Sequence, residues 1–135
     1  MSHFESLLNE VKEFVEKEGI SYNDFAVFGS GPLAVRGIRE SRDIDIIIRP
    51  YIFKELSKKY VVDSRGYICQ GNIEIAGDWE PWFKDINILI DDADIINGIR
   101  YVKLKYVLEW KKAFNREKDK KDIALIESYL KTQRL

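Results

Sequence analysis

Apolar residues recur along this chain with two different periods, and the switches between them divide it into elements. Near the N-terminus Phe4, Leu7, Leu8, Val11, Phe14 and Val15 follow the helical period. Ser2 and Glu5 stand at capping-box spacing and Gly19 supplies a stop, so the pattern predicts an amphipathic helix over 2–18. A polar link, Ile20 to Asp24, leads to the continuous apolar run Phe25 to Phe28, which reads as a buried strand. Gly29-Ser30-Gly31 breaks that run. Pro32 then fits the first turn of a short helix reaching about Arg36, with Gly37 ending it. A second strand is expected from Asp43 to Arg49, and Pro50 opens another short helix with Phe53 and Leu56 on its apolar side.

Residues 60–76 are rich in β-branched and aromatic types, in the groups Tyr60-Val61-Val62, Tyr67-Ile68-Cys69 and Ile73-Glu74-Ile75. Gly66 and Gly71-Asn72 punctuate them, which predicts one short strand followed by a hairpin. Gly77 to Lys84 read as a loop holding Trp79, Trp82 and Phe83, a cluster suited to core packing or to stacking a nucleobase. Asp85 to Asp92 fits helix or strand, helix being the preferred reading. Asn97-Gly98 between Ile95-Ile96 and Ile99-Tyr101-Val102 is a two-residue hairpin signal. From Leu104 the period is helical again, through Val107, Leu108 and Lys111. After a break at Phe114-Asn115-Arg116, a last helix carries Ile123, Ile126, Tyr129 and Leu130. Helices and strands mixed in this order predict a single α+β domain over 1–135.

Composition narrows the class. With 135 residues, 45% of them hydrophobic and 33% charged, the chain is a globular domain with one core. No apolar run approaches the roughly 20 residues needed to span a bilayer, and no signal-peptide layout is present, so the expected location is the cytoplasm. The single cysteine, Cys69, excludes an intrachain disulfide and a cysteine metal cluster; its apolar neighbours predict a buried small hydrophobe. His3 is the only histidine, so any metal would be oxygen-ligated, which favours magnesium or manganese over zinc. The net charge of −1 hides an asymmetry. Residues 1–99 carry 11 basic against 18 acidic side chains, and residues 100–135 carry 11 against 5. Either the basic tail meets the acidic body across an anionic ligand, or it is a helix with a solvated basic face.

The chemistry concentrates between residues 25 and 49. A strand hands the backbone to a small-residue loop that can wrap a phosphate, and a helix starting at Pro32 would aim its amides at an anion on Ser30. On the following strand Asp43 and Asp45 share a face, because residues i and i+2 point the same way. Asp45 stands among Ile44, Ile46, Ile47 and Ile48, and a buried carboxylate needs a cation: a metal, or Arg42 or Arg49. A phosphate cradle beside a carboxylate pair is what a magnesium–nucleotide site requires.

These residues carry a resemblance. Gly29-Ser30, a spacer of about a dozen residues, then Asp43-Ile44-Asp45 between hydrophobic positions resembles the signature of the nucleotidyltransferase superfamily related to DNA polymerase beta, over about residues 20–80. Lys111, followed by Asn115-Arg116-Glu117-Lys118-Asp119 and Asp122, resembles the "lysine, then GR-x-KD-x-x-D" tail of small nucleotidyltransferase-like proteins, the AbiEii-type and lincosamide-modifying groups included. Asn115 stands where those proteins often have glycine.

The resemblance implies a nucleotidyltransferase fold, a central mixed sheet with helices packed on it and a C-terminal helical tail over about 95–135. It implies transfer of a nucleoside monophosphate, AMP first, from an NTP to a hydroxyl on a small molecule, an RNA end or a protein, with release of pyrophosphate. Asp43, Asp45 and a third carboxylate would hold magnesium or manganese and accept the acceptor's proton. Glu74 is the candidate for that third group and Asp85 the reserve, although the superfamily more often has aspartate there. Gly29, Ser30 and Gly31 would hold the phosphates, with Arg42, Lys111, Arg116 and Lys118 as further phosphate or acceptor contacts. So short a chain implies an acceptor brought by a partner or shared across a homodimer. The alternative is an inactive or regulatory member that binds a partner protein, as in toxin–antitoxin pairs. A general nucleic-acid-binding module is disfavoured, because the basic residues lie in the tail without interleaved aromatic platforms.

Overall fold

The computed structural model describes residues 2–78 and 85–133. Helix α1, His3–Glu18, begins where Ser2 Oγ accepts the Glu5 N–H and ends on Gly19 in the left-handed conformation. Strand β1 (Phe25–Phe28), the single turn α2 (Gly31–Ala34), β2 (Ile44–Ile48) and α3 (Pro50–Leu56) follow. A hairpin of β3 (Tyr67–Gln70) and β4 (Ile73–Ala76) precedes α4 (Ile86–Asp91). A second hairpin, β5 (Asp94–Ile96) and β6 (Ile99–Tyr101), turns on Asn97 and Gly98, both at positive φ. The chain ends in α5 (Leu104–Phe114) and α6 (Glu117–Gln133), which are joined through Asn115 at φ 52°.

The class is α+β. The six strands among the described residues form one mixed sheet in the order β3-β4-β2-β1-β6-β5. β1 runs antiparallel to β2 and parallel to β6, and β2 runs parallel to β4. Side-chain alternation splits the core between the two faces. Phe25, Val27, Ile44, Ile46, Ile48, Ile73 and Ile75 pack with Leu7, Val11, Phe14 and Val15 of α1 and with Leu56 of α3. Ala26, Phe28, Ile47 and Ala76 pack with Leu33 and with the apolar sides of α4, α5 and α6. β1 and most of β2 are therefore covered on both faces, which is why they read as unbroken apolar runs. Asp45 is the polar interruption, and alternation puts it on the same face as Ile47, under α5 and α6.

Two expectations are corrected. Tyr60-Val61-Val62 is not a strand: Val62 makes one isolated bridge to Ile68, and Val61 is 87% exposed. Tyr60 instead closes the turns that follow α3, its N–H bonded to Leu56 O and its hydroxyl to Glu18. Cys69 is exposed, because on edge strand β3 it is Ile68 that turns into the core. The aromatic cluster Trp79, Trp82 and Phe83 lies outside the described residues.

Candidate active site

The sheet register lines up one row of side chains. Phe28 stands opposite Asp45, Asp45 opposite Glu74, and Glu74 opposite Cys69. Residues directly opposed across strands share a face, so Asp45 and Glu74 are neighbours, and Asp43 lies in the bend just before β2, near enough for its charge to act on Asp45. Beside them β1 ends and Gly29 turns the chain at φ 69°. A Cβ on Gly29 would sit 2.5 Å from Asp45 Oδ2, so backbone is pressed against this carboxyl where only glycine fits. The Ser30 and Ser41 hydroxyls are hydrogen-bonded to each other, and Ser41 Oγ donates to Asp43 O at 2.9 Å. Buried Ser41 thereby ties the Gly-Ser turn to the start of the acid-bearing strand.

Asp45 is the electrostatic focus. Its Oδ1 is buried and accepts no hydrogen bond. Burial foremost, then its hydrogen bond to Glu74 and the charges of Glu74 and Asp43, push its carboxyl up to about 8, against an opposing pull from Arg65. Arg65 pairs with Glu74 at 3.2 Å and with Asp63 at 2.8 Å, and lies over the Tyr67 ring. Of the two arginines weighed as partners for Asp45, Arg49 is committed to Asp24, Asp91 and Asn87. The side chain of Arg42 makes no ion pair among the described residues.

The wall facing this row comes from α5 and α6. Lys111, Asp119 and Asp122 are buried there, with Lys111 Nζ 3.1 Å from Asp122 and 3.5 Å from Asp119. Arg116 grips Asp119 with two nitrogens, at 2.7 and 3.0 Å, and lies over the Phe114 ring. Burial would push the Asp119 carboxyl up, but the Arg116 hydrogen bond and the charges of Lys111 and Arg116 hold it below the usual range. Lys111 and Arg116 are thus fixed by carboxylate partners as much as they are presented to a ligand. Lys118 is exposed, with no hydrogen bond or ion pair among the described residues.

One cavity of about 660 Å³ collects Gly29, Ser30, Asp43, Asp45 and Glu74 on one side and Lys111, Arg116 and Lys118 on the other. Gly31 instead packs on the Val27 side chain, where a Cβ would collide. Arg42 lines a neighbouring cavity. Asp85, the reserve third acid, is the N-cap of α4, where it accepts the Asn87 N–H, and Glu74 is the acid beside Asp45. Helix α2 has only four residues, so the cradle rests on the loop and not on a helix dipole. Sequence reasoning passed over Arg65, Ser41 and Arg39. Arg65 sits in a turn whose ends are joined by Asp63, and only the β3–β4 register shows that the turn folds back over Glu74.

Among the described residues, no three His, Cys, Asp or Glu side chains are gathered into a group that could hold a metal ion. The donors nonetheless suit a hard cation. Asp45 offers a buried oxygen without a partner, Glu74 adjoins it, and magnesium ordinarily takes one or two carboxylates and completes its shell with phosphate and water oxygens. Compared with protein-family models, with curated proteins and with solved structures, the chain matches none.

Proposed function

We propose that this chain is a nucleotidyltransferase-fold enzyme that transfers a nucleoside monophosphate from an NTP, ATP first, to a hydroxyl acceptor. The observation that carries this reading is the buried, unpartnered Asp45 oxygen beside Glu74, pressed by the Gly29 backbone and facing Lys111 and Arg116 across a single cavity. An acid row opposed by fixed cations is suited to a metal–triphosphate, which carries both signs of charge. Asp45 and Glu74, with Asp43 beside them, would hold magnesium or manganese. When bound, the metal supplies charge neutralisation of the phosphate oxygens. The Gly29 turn and the Ser30 hydroxyl bind the phosphate tail, and Ser41 holds that turn in register with Asp43. Arg116 and Lys118 add positive charge where charge develops on the departing pyrophosphate. A carboxylate of the acid row takes the acceptor's proton.

The experiment is incubation of the whole chain with magnesium and each α-labelled NTP, offering both the protein itself and cell extract as acceptors. Label transferred to an acceptor, and lost in Asp43→Asn/Asp45→Asn, supports the reading. No transfer with any NTP overturns it as an activity.

A second reading has its own observation. Glu74 is already satisfied by Arg65 at 3.2 Å, the arrangement of a site that no longer needs metal. On that reading the chain is a regulatory subunit bound to a protein partner, as in toxin–antitoxin pairs. A stoichiometric partner recovered by pull-down, with no label incorporated, would favour it.

A further inference from the structure

A second cavity, of about 550 Å³, adjoins the first and shares Ser30, Arg39 and Asp43 with it. Its lining carries Arg39, Arg42 and His3 beside Glu40 and the shared Asp43, without the acid pair of Asp45 and Glu74. The two arginines are weakly engaged. Arg39 has one ion pair, a 3.5 Å contact to Asp122, with 41% of its side chain exposed. The exposed Arg42 side chain makes no hydrogen bond or ion pair among the described residues. Yet the surrounding backbone is held firmly. His3 Nε2 is 3.1 Å from Arg42 O, joining the first turn of α1 to this segment, and Ser41 is anchored on Ser30 and on Asp43 O. Fixed backbone carrying one guanidinium with a single long ion pair and one with none suits recognition of a phosphate, since Arg forks match phosphate oxygens bidentately.

The geometry points to this second cavity as the acceptor subsite, taking a hydroxyl compound that carries a phosphate group. The inference rests on the nucleotidyltransferase reading. Arg39 and Arg42 hold the acceptor's phosphate, and its hydroxyl is directed past Ser30 and Asp43 toward the nucleotide in the first cavity. In the step that follows, the acceptor oxygen forms a bond to the α-phosphorus. The bond from that phosphorus to the bridging oxygen breaks, and pyrophosphate leaves with the electron pair. The acceptor's proton passes to a carboxylate of the acid row and from there to water. The source is either a small phosphorylated alcohol or the 3′ end of an RNA, both of which present a hydroxyl near a phosphate.

The test is amide NMR of the full chain in three titrations: magnesium with a non-hydrolysable ATP analogue, glycerol 3-phosphate with glycerol as its control, and a short oligoribonucleotide with a free 3′ hydroxyl. Expected are saturable shifts centred on residues 39–43 with glycerol 3-phosphate or the oligoribonucleotide but not with glycerol. Affinity should fall about tenfold in Arg42→Gln and recover in part in Arg42→Lys. The tighter of the two probes names the source. If the ATP analogue binds while neither phosphate compound shifts residues 39–43, or if Arg42→Gln leaves their affinity unchanged, this inference is overturned and the nucleotide reading stands. Failure of the ATP analogue to bind overturns the nucleotide reading, and the acceptor assignment with it.

Discussion

Replacing Asp45 with asparagine should make the metal-free protein more stable. The carboxyl is largely buried, with Oδ1 unpartnered and Glu74 alongside, and its titration is pushed up to about 8. An aspartate in the unfolded chain titrates near 3.9. Between about pH 4 and pH 8 the folded chain therefore retains a proton that the unfolded chain has released, and stability falls as pH rises through that window. Each pH unit within it is worth about 1.4 kcal/mol, which sets a ceiling of about 4 kcal/mol at pH 7. Side-chain movement and water reaching the partly exposed pair reduce this, so about 2 kcal/mol is the expected effect. Asparagine has no charge to lose, and its amide can donate to Glu74 without a proton from solution. In EDTA, Asp45→Asn should raise the urea-derived stability at pH 7 by about 2 kcal/mol, or Tm by roughly 6 °C. The advantage should shrink toward zero near pH 4. An Asp45→Asn protein no more stable than the parent at pH 7, or a gain that does not change between pH 4 and pH 8, would refute the reasoning. Such an acid destabilises its own fold, which is the expected signature of a group kept for ligand chemistry.

Gly29→Ala should cost about 2 kcal/mol and abolish nucleotide binding, because the added methyl must share space with Asp45 Oδ2 at positive φ. Gly37→Ala, at φ 73° with no atom within 4 Å of the added Cβ, should cost about 1 kcal/mol and leave nucleotide affinity alone; paired urea melts and titrations check both. Asp119→Ala removes the two-pronged partner of Arg116 and one of the two carboxylates on buried Lys111, leaving it Asp122, and should destabilise by about 2 kcal/mol in the same melts. Because the Asp119 carboxyl is held below its usual range, its contribution is present above about pH 4 and lost as pH falls further. Asp119→Asn should therefore flatten the acid limb of the pH–stability curve, and an unchanged limb would count against the ion network.

The elements that could be read from the chain are those whose signals are local. The Ser2 cap, the Gly19 stop, the Asn97-Gly98 turn and the apolar runs of β1 and β2 each declare themselves within a few residues. The Asp43–Asp45 pair was singled out by strand alternation, but β2 begins only at Ile44, so Asp43 lies in the bend before the strand. Glu74 as their neighbour needed the parallel β2–β4 pairing, which no local pattern specifies, though flanking Ile73 and Ile75 marked it as the polar member of a buried strand. Cys69 misled because its apolar neighbours do not reveal which face of an edge strand is covered. The tail shows the same limit. The resemblance of the tail implied Lys111 and Arg116 as ligand cations, against the alternative of ordinary helix surface, and the α5–α6 packing shows how tightly Asp119 and Asp122 already hold them. Arg39 meets Asp122 from a distant helix, and Arg65, although paired locally with Asp63, reaches Glu74 only through the β3–β4 hairpin.

The central claim is that the acid row and the glycine turn form a site for a metal-bound triphosphate. Calorimetric titration of the whole chain with a non-hydrolysable ATP analogue, in magnesium and then in EDTA, tests it most directly. The account predicts saturable binding that requires magnesium and is lost in Asp43→Asn/Asp45→Asn, a variant that remains folded in the metal-free buffer. Absence of binding, or binding indifferent to both magnesium and the double substitution, would contradict it.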